Sequence, residues 1–79
     1  MKKRGKEVTG VIYITNEPSK GAIGTLKTAY CPINACVCAI ENADNSYGGN
    51  VWMNGLTGVV QISANITQTA IFSFYYLTA

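Results

Sequence analysis

Thr69-Ala-Ile-Phe-Ser-Phe-Tyr-Tyr-Leu-Thr78 decides the fold. Its side chains alternate without a break. Ala70, Phe72, Phe74 and Tyr76 fall on one face, and Ile71, Ser73, Tyr75 and Leu77 on the other. A period of two is the signature of a β-strand, because successive side chains leave opposite faces of the pleat. Both faces here carry apolar groups, so the strand is expected to be buried between a sheet interior and a neighbouring subunit. Working back along the chain, the same period recurs. In Val8–Thr15, Val8, Gly10, Ile12 and Ile14 share one face, and Thr9, Val11, Tyr13 and Thr15 the other. Asn16–Gly21, with Pro18 and Gly21, is a turn cluster. Ala22–Lys27 reads as a short strand, and Tyr30-Cys-Pro32 as an extended corner, since a residue before proline is pushed out of the helical region.

Ala35–Asn42 is a third strand, with Cys36, Cys38 and Ile40 on one face and Ala35, Val37 and Ala39 on the other. Two apolar faces predict burial on both sides. Asn42–Gly49 is the longest polar loop, and Asn50–Asn54 a short strand in which Trp52 opposes Val51 and Met53. Asn54-Gly55 is a strong hairpin signal, extended by Thr57-Gly58. Val59–Ala64 alternates, and Asn65–Gln68 turns into the final strand. No segment combines helical spacing with caps. About six short strands with frequent turns predict an all-β domain, a small antiparallel β-sandwich over residues 8–79, preceded by a basic segment at 1–7.

Composition bounds the chemistry. The chain has 79 residues, 48% hydrophobic and 13% charged, with no histidine. One domain of this size buries about 60% of its unfolded surface, so its core is marginal. The low charge suggests that part of the surface is hidden against copies of itself or a partner. Lys2, Lys3, Arg4 and Lys6 supply four of the six basic residues. They form a solvated end rather than the basic face or groove of a nucleic-acid-binding domain, and no nucleic-acid partner is expected. No run of about 18 apolar residues exists, so no membrane insertion is expected. Cys31, Cys36 and Cys38 are an odd number with no zinc-ribbon spacing, and read as buried reduced thiols made in a reducing compartment.

Without histidine the commonest general base is missing, and no Cys–His pair can form within the chain. Glu41 and Asp44 are close in sequence, yet loop neighbours of this kind are ordinarily solvated charges. No catalytic residue, metal site or cofactor is expected. Binding is better supplied. Aromatic faces stack on sugar rings, and loop amides hydrogen-bond hydroxyls. Tyr30, Asp44, Tyr47, Asn50 and Trp52 are the candidate binding residues, clustered at or near loops. Against this, Trp52 could simply fill the core or a subunit interface, as tryptophan usually does.

Ile23-Gly-Thr-Leu-Lys-Thr-Ala-Tyr-Cys-Pro32 resembles the corner motif in the C-terminal β-sandwich domain of bacteriophage tail, baseplate and head fibre proteins. Gly5-Lys-Glu-Val8, Asn50-Val-Trp-Met-Asn-Gly55 and Phe72–Ala79 match that family's other motifs in order and spacing, so the resemblance spans the chain. Lys27 stands where the family usually has proline, and Cys31 where it usually has arginine, which removes a polar contact from the corner. The resemblance implies a homotrimeric head in the virion, made in the bacterial cytoplasm and joined to other fibre or baseplate proteins. It implies host attachment, with bacterial surface saccharide bound through loops or inter-subunit clefts. The competing expectations are a purely structural trimerisation or capping module, and a cell-wall-binding domain of a prophage lytic enzyme.

Overall fold

The computed structural model describes residues 1–79. It is all-β, apart from one short 3₁₀ turn at Thr28–Tyr30. Seven strands form: β1 (Lys2–Arg4), β2 (Glu7–Ile14), β3 (Gly21–Thr25), β4 (Ala35–Asn42), β5 (Tyr47–Asn54), β6 (Val59–Ile62) and β7 (Ala70–Leu77). They make one antiparallel sheet in the order β1-β2-β7-β4-β5-β6-β3. The sheet curls into a half-barrel. The expected two packed layers are therefore one continuous layer, and its concave side supplies the core.

Alternation explains which residues go inside. Val8 and Ile14 of β2, Ile40 of β4, Val51 and Met53 of β5, Val60 and Ile62 of β6, and Ala70, Phe72, Phe74 and Tyr76 of β7 are all buried, joined by Ile66 from the β6–β7 connection. The Phe72 and Phe74 rings are tilted with centroids 6.0 Å apart, and Phe74 and Tyr76 stack at 5.8 Å. These are favourable aromatic separations. Gly10 faces the same interior. A methyl group there would lie 2.5 Å from the tip of the Phe74 ring, so a side chain is excluded by packing. The Tyr76 hydroxyl donates to the Tyr30 carbonyl. Burial, followed by the nearby Cys36 and Cys31 thiols, pushes the Tyr76 phenol up to about 12.

Four sequence expectations need correction. Residues 2–4 of the basic segment form β1, an edge strand paired with β2 in the register Lys2↔Thr9 and Arg4↔Glu7. Charged residues are tolerated on a sheet edge, where they discourage further pairing. β4 is not buried on both faces: Ala35, Val37 and Ala39 are exposed, because no second layer covers the convex side. The 42–49 loop is shorter than expected, since β5 begins at Tyr47. The turn after β5 is not a two-residue hairpin. Asn54 Oδ1 accepts from the Leu56 and Thr57 amides, the Gly58 amide donates to the Asn54 carbonyl, and positive φ falls on Gly58 rather than Gly55.

The cysteines are free and partly buried. Cys36 and Cys38 pack against the core, and burial raises both thiols, Cys38 to about 11. No helix is long and apolar enough to cross a membrane.

A candidate binding face on the convex side of the sheet

Alternation that sends one set of side chains into the core sends the other onto the convex face. There β2 presents Val11 and Tyr13, β7 presents Tyr75 and Leu77, β4 presents Val37, and β5 presents Trp52. These are exposed large apolar or aromatic groups, with Tyr13 at 69%, Val37 at 63% and Trp52 at 44% of full exposure. A single such residue on a surface is ordinary, but a contiguous set on four adjacent strands is the mark of a binding surface.

Tyr47 joins this face through a β-bulge. Asn50 pairs with Ala39 and Tyr47 with Glu41, so three steps along β5 oppose two along β4. Counting back from Val51 and Met53 by twos would turn Tyr47 inward. The extra residue reverses that parity, leaving Tyr47 outward and 67% exposed. Gly48 and Gly49 carry the bulge, and both are buried. Gly49 has φ +105°, a conformation that side chains rarely adopt. Its neighbour Asn50 is fixed from both sides: the Asn50 amide donates to Ser63 Oγ at 2.8 Å, and the Ser63 amide donates to the Asn50 carbonyl at 3.0 Å.

The ladder lines the outward groups into rows. Tyr13 pairs with Ile71, Ile71 with Glu41, and Glu41 with Tyr47, so one row crosses four strands. At about 4.8 Å per strand, the two tyrosines stand roughly 14 Å apart with a carboxylate between them. A second row runs Gln61, Trp52, Val37, which sets a side-chain amide beside the indole. Between the two rows Asn50 is outward, beside Ala39. Flat aromatic surfaces alternate with amide and carboxylate groups, an arrangement suited to stacking on rings while hydrogen-bonding their hydroxyls. Toward the other end, the Tyr75 hydroxyl donates to Glu7 Oε1 at 2.9 Å.

Of the five candidate residues, Tyr47, Asn50 and Trp52 are brought to this one face. Asp44 is not part of it. It sits in the β4–β5 turn, where Oδ1 accepts from the Ser46 hydroxyl and from the Ser46 amide at 3.0 Å. Those bonds, the hydroxyl first, hold its carboxyl below the usual value. Its role is to shape the turn. Tyr30 is also separate: it packs partly buried against the core on the 3₁₀ turn. Glu41 and Gln61, which stand beside Tyr47 and Trp52 on this face, are not among the candidate binding residues that the sequence singles out. Their outward positions follow from strand alternation once strand neighbours are known, and sequence alone does not disclose those neighbours.

No family model, curated protein or solved structure matches the chain.

Proposed function

We propose that this chain is the head domain of a virion fibre or baseplate, acting by binding rather than catalysis. It assembles as a homotrimer and attaches the particle to bacterial surface saccharide. The observation that carries this reading is the uncovered convex face, on which Tyr47, Asn50 and Trp52 stand together with Glu41 and Gln61. The β4–β5–β6 half, with its mixed aromatic and amide groups, takes the saccharide. The β2–β7 half, with Val11, Tyr13 and Leu77, packs against neighbouring copies. The resemblance of four motifs, in order, to those of phage fibre heads is in keeping with this reading.

Trp52→Ala and Tyr47→Ala test it. Tyr47 stands mostly in solvent, so its loss should change stability by less than about 0.5 kcal/mol. Trp52, at 44% of full exposure, rests on its strand neighbours, and its loss should cost about 1–2 kcal/mol without unfolding the chain. On an array of bacterial surface saccharides, the native chain is expected to bind, and Trp52→Ala to bind about thirtyfold more weakly, as for an aromatic hot spot. A native chain that binds no saccharide would instead favour the structural capping role. Sedimentation with isolated peptidoglycan alone would favour the cell-wall-binding role.

A further inference from the structure

The curl of the sheet leaves a seam. β2 and β3 face one another across the mouth of the half-barrel, and three clefts run end to end along it. The first, about 440 Å³, is lined by Ile12, Ile14, Pro18, Lys20, Ala22 and Ile23 among others. The second, about 270 Å³, shares Ile12 and Ile23 with the first and has Met53, Val60 and Phe72 of the core in its wall. The third, about 350 Å³, shares Met1, Thr25 and Leu26 with the second and ends at Lys27. Sharing residues in this way, they form one groove along β3, apolar in its middle cleft and mixed at its ends, where Asn16 and Ser19 join Lys20.

Both lips are unpaired strand edges. β2 is paired along its whole length with β7, but on the seam side β1 covers Glu7–Thr9 and the Met1 backbone lies against Gly10, leaving Val11–Ile14 open. β3 pairs with β6 alone. β1 also demonstrates that this edge of β2 accepts an antiparallel strand. The two edges differ in chemistry: β1 is Lys-Lys-Arg, whereas Gly21–Thr25 has neither charge nor proline to discourage pairing. Lys20 and Lys27 mark the two ends of the groove, and no Asp or Glu lines any of the three clefts.

We infer that the β2–β3 groove is a strand-acceptor site for an extended segment of another polypeptide, with apolar side chains at alternate positions and a carboxylate toward each end. The segment continues the line of β1 beside Val11–Ile14. Its inward side chains, opposite Ile12 and Ile14, complete the wall over Phe72. Its backbone satisfies the open edge, and its end carboxylates meet Lys20 and Lys27. This is β-strand addition, in which main-chain bonds give affinity and alternate side chains give selectivity. The inference stands apart from the saccharide reading, because none of Tyr47, Asn50 and Trp52 lines the groove, although Tyr13 borders both the first cleft and the convex face.

The probe is a synthetic heptapeptide with aspartate at both ends and valine alternating with threonine between, titrated into the full chain. Amide hydrogen exchange is the readout. Binding should slow exchange within Val11–Ile14 and Gly21–Thr25, while Tyr47–Trp52 is unaffected. The same peptide with lysine ends should bind about three- to tenfold more weakly, the range expected for two exposed ion pairs. The double variant Lys20→Glu with Lys27→Glu should invert that preference, and Ile23→Lys should abolish binding of either peptide. Four results would each overturn the inference: no binding of the aspartate-ended peptide, equal binding of both peptides, seam-side amides already protected in the free chain, or occupation of the groove by a second copy, seen as protection that grows with protein concentration.

Discussion

Phe72→Ala is expected to destabilise the fold by about 3–5 kcal/mol, the usual cost of truncating a buried phenylalanine. Phe72 is 2% exposed at the centre of the concave face. It lies against the Phe74 ring on one side and lines the seam with Met53 and Val60 on the other. A chain of 79 residues has a total stability of roughly 4–12 kcal/mol at ordinary values per residue. A single cavity therefore removes a large share of it, and the variant should be substantially unfolded at modest urea concentration. Phe74→Ala should follow closely, with the added expectation that it makes room for a methyl group at Gly10. Urea titration followed by tryptophan fluorescence reads both. If each variant kept the native midpoint and native assembly, β7 would not be the central strand of the core.

Gly55→Ala should cost about 3 kcal/mol, the upper part of the range for overpacking, for a different reason. Gly55 does not need a positive φ. What excludes a side chain is the close approach of another chain segment: a methyl group on Gly55 would overlap the backbone carbonyls of Asn34 and Pro32. Backbone cannot swing aside as the end of a long side chain can. Either the β5–β6 turn or the corner before β4 must move, and the corner is itself tied down by the Ile33 amide donating to the Leu77 carbonyl at 2.8 Å. Gly24→Ala is the control. Gly24 has open space around it and no positive φ, so its variant should be neutral or slightly stabilising. Equal melting of the two variants would remove the steric account of Gly55.

Which parts of this fold are legible in the sequence depends on the physical signal each residue carries. The strands β2 and β7 are legible because side chains alternate at period two, a property of one strand by itself, and the aromatic run Phe72, Phe74 and Tyr76 shares one face of β7. The single curled layer was not readable, because it depends on which strands pair. β7, last in sequence, lies between β2 and β4, and nothing in its composition says so. β1 was read as solvent because Lys2, Lys3 and Arg4 are charged, yet an edge strand tolerates charge. The exposure of Tyr47 beside Asn50 and Trp52 rests on the bulge at Gly48 and Gly49, which reverses parity. The two glycines are the signal the sequence offers, yet they fall at the end of a stretch that reads as a polar loop. Tyr30 and Asp44 share a lesson. An aromatic or acidic residue near a loop can be spent locally, Tyr30 against the core and Asp44 on Ser46.

The exposed convex face also bears on assembly. With aromatic side chains of about 200 Å² each, Tyr13, Tyr47, Trp52 and Tyr75 leave on the order of 500 Å² in water by themselves. Val11, Val37 and Leu77 extend the patch toward the roughly 800 Å² per partner of a stable interface. A lone copy this exposed is at risk of indiscriminate association, and the trimer proposed above would limit it by burying the β2–β7 half.

Light scattering from the purified chain tests that claim most directly. The account expects a single species of three times the 8.5 kDa chain mass, unchanged on dilution through the micromolar range. A well-behaved species of one chain mass at high concentration would contradict it.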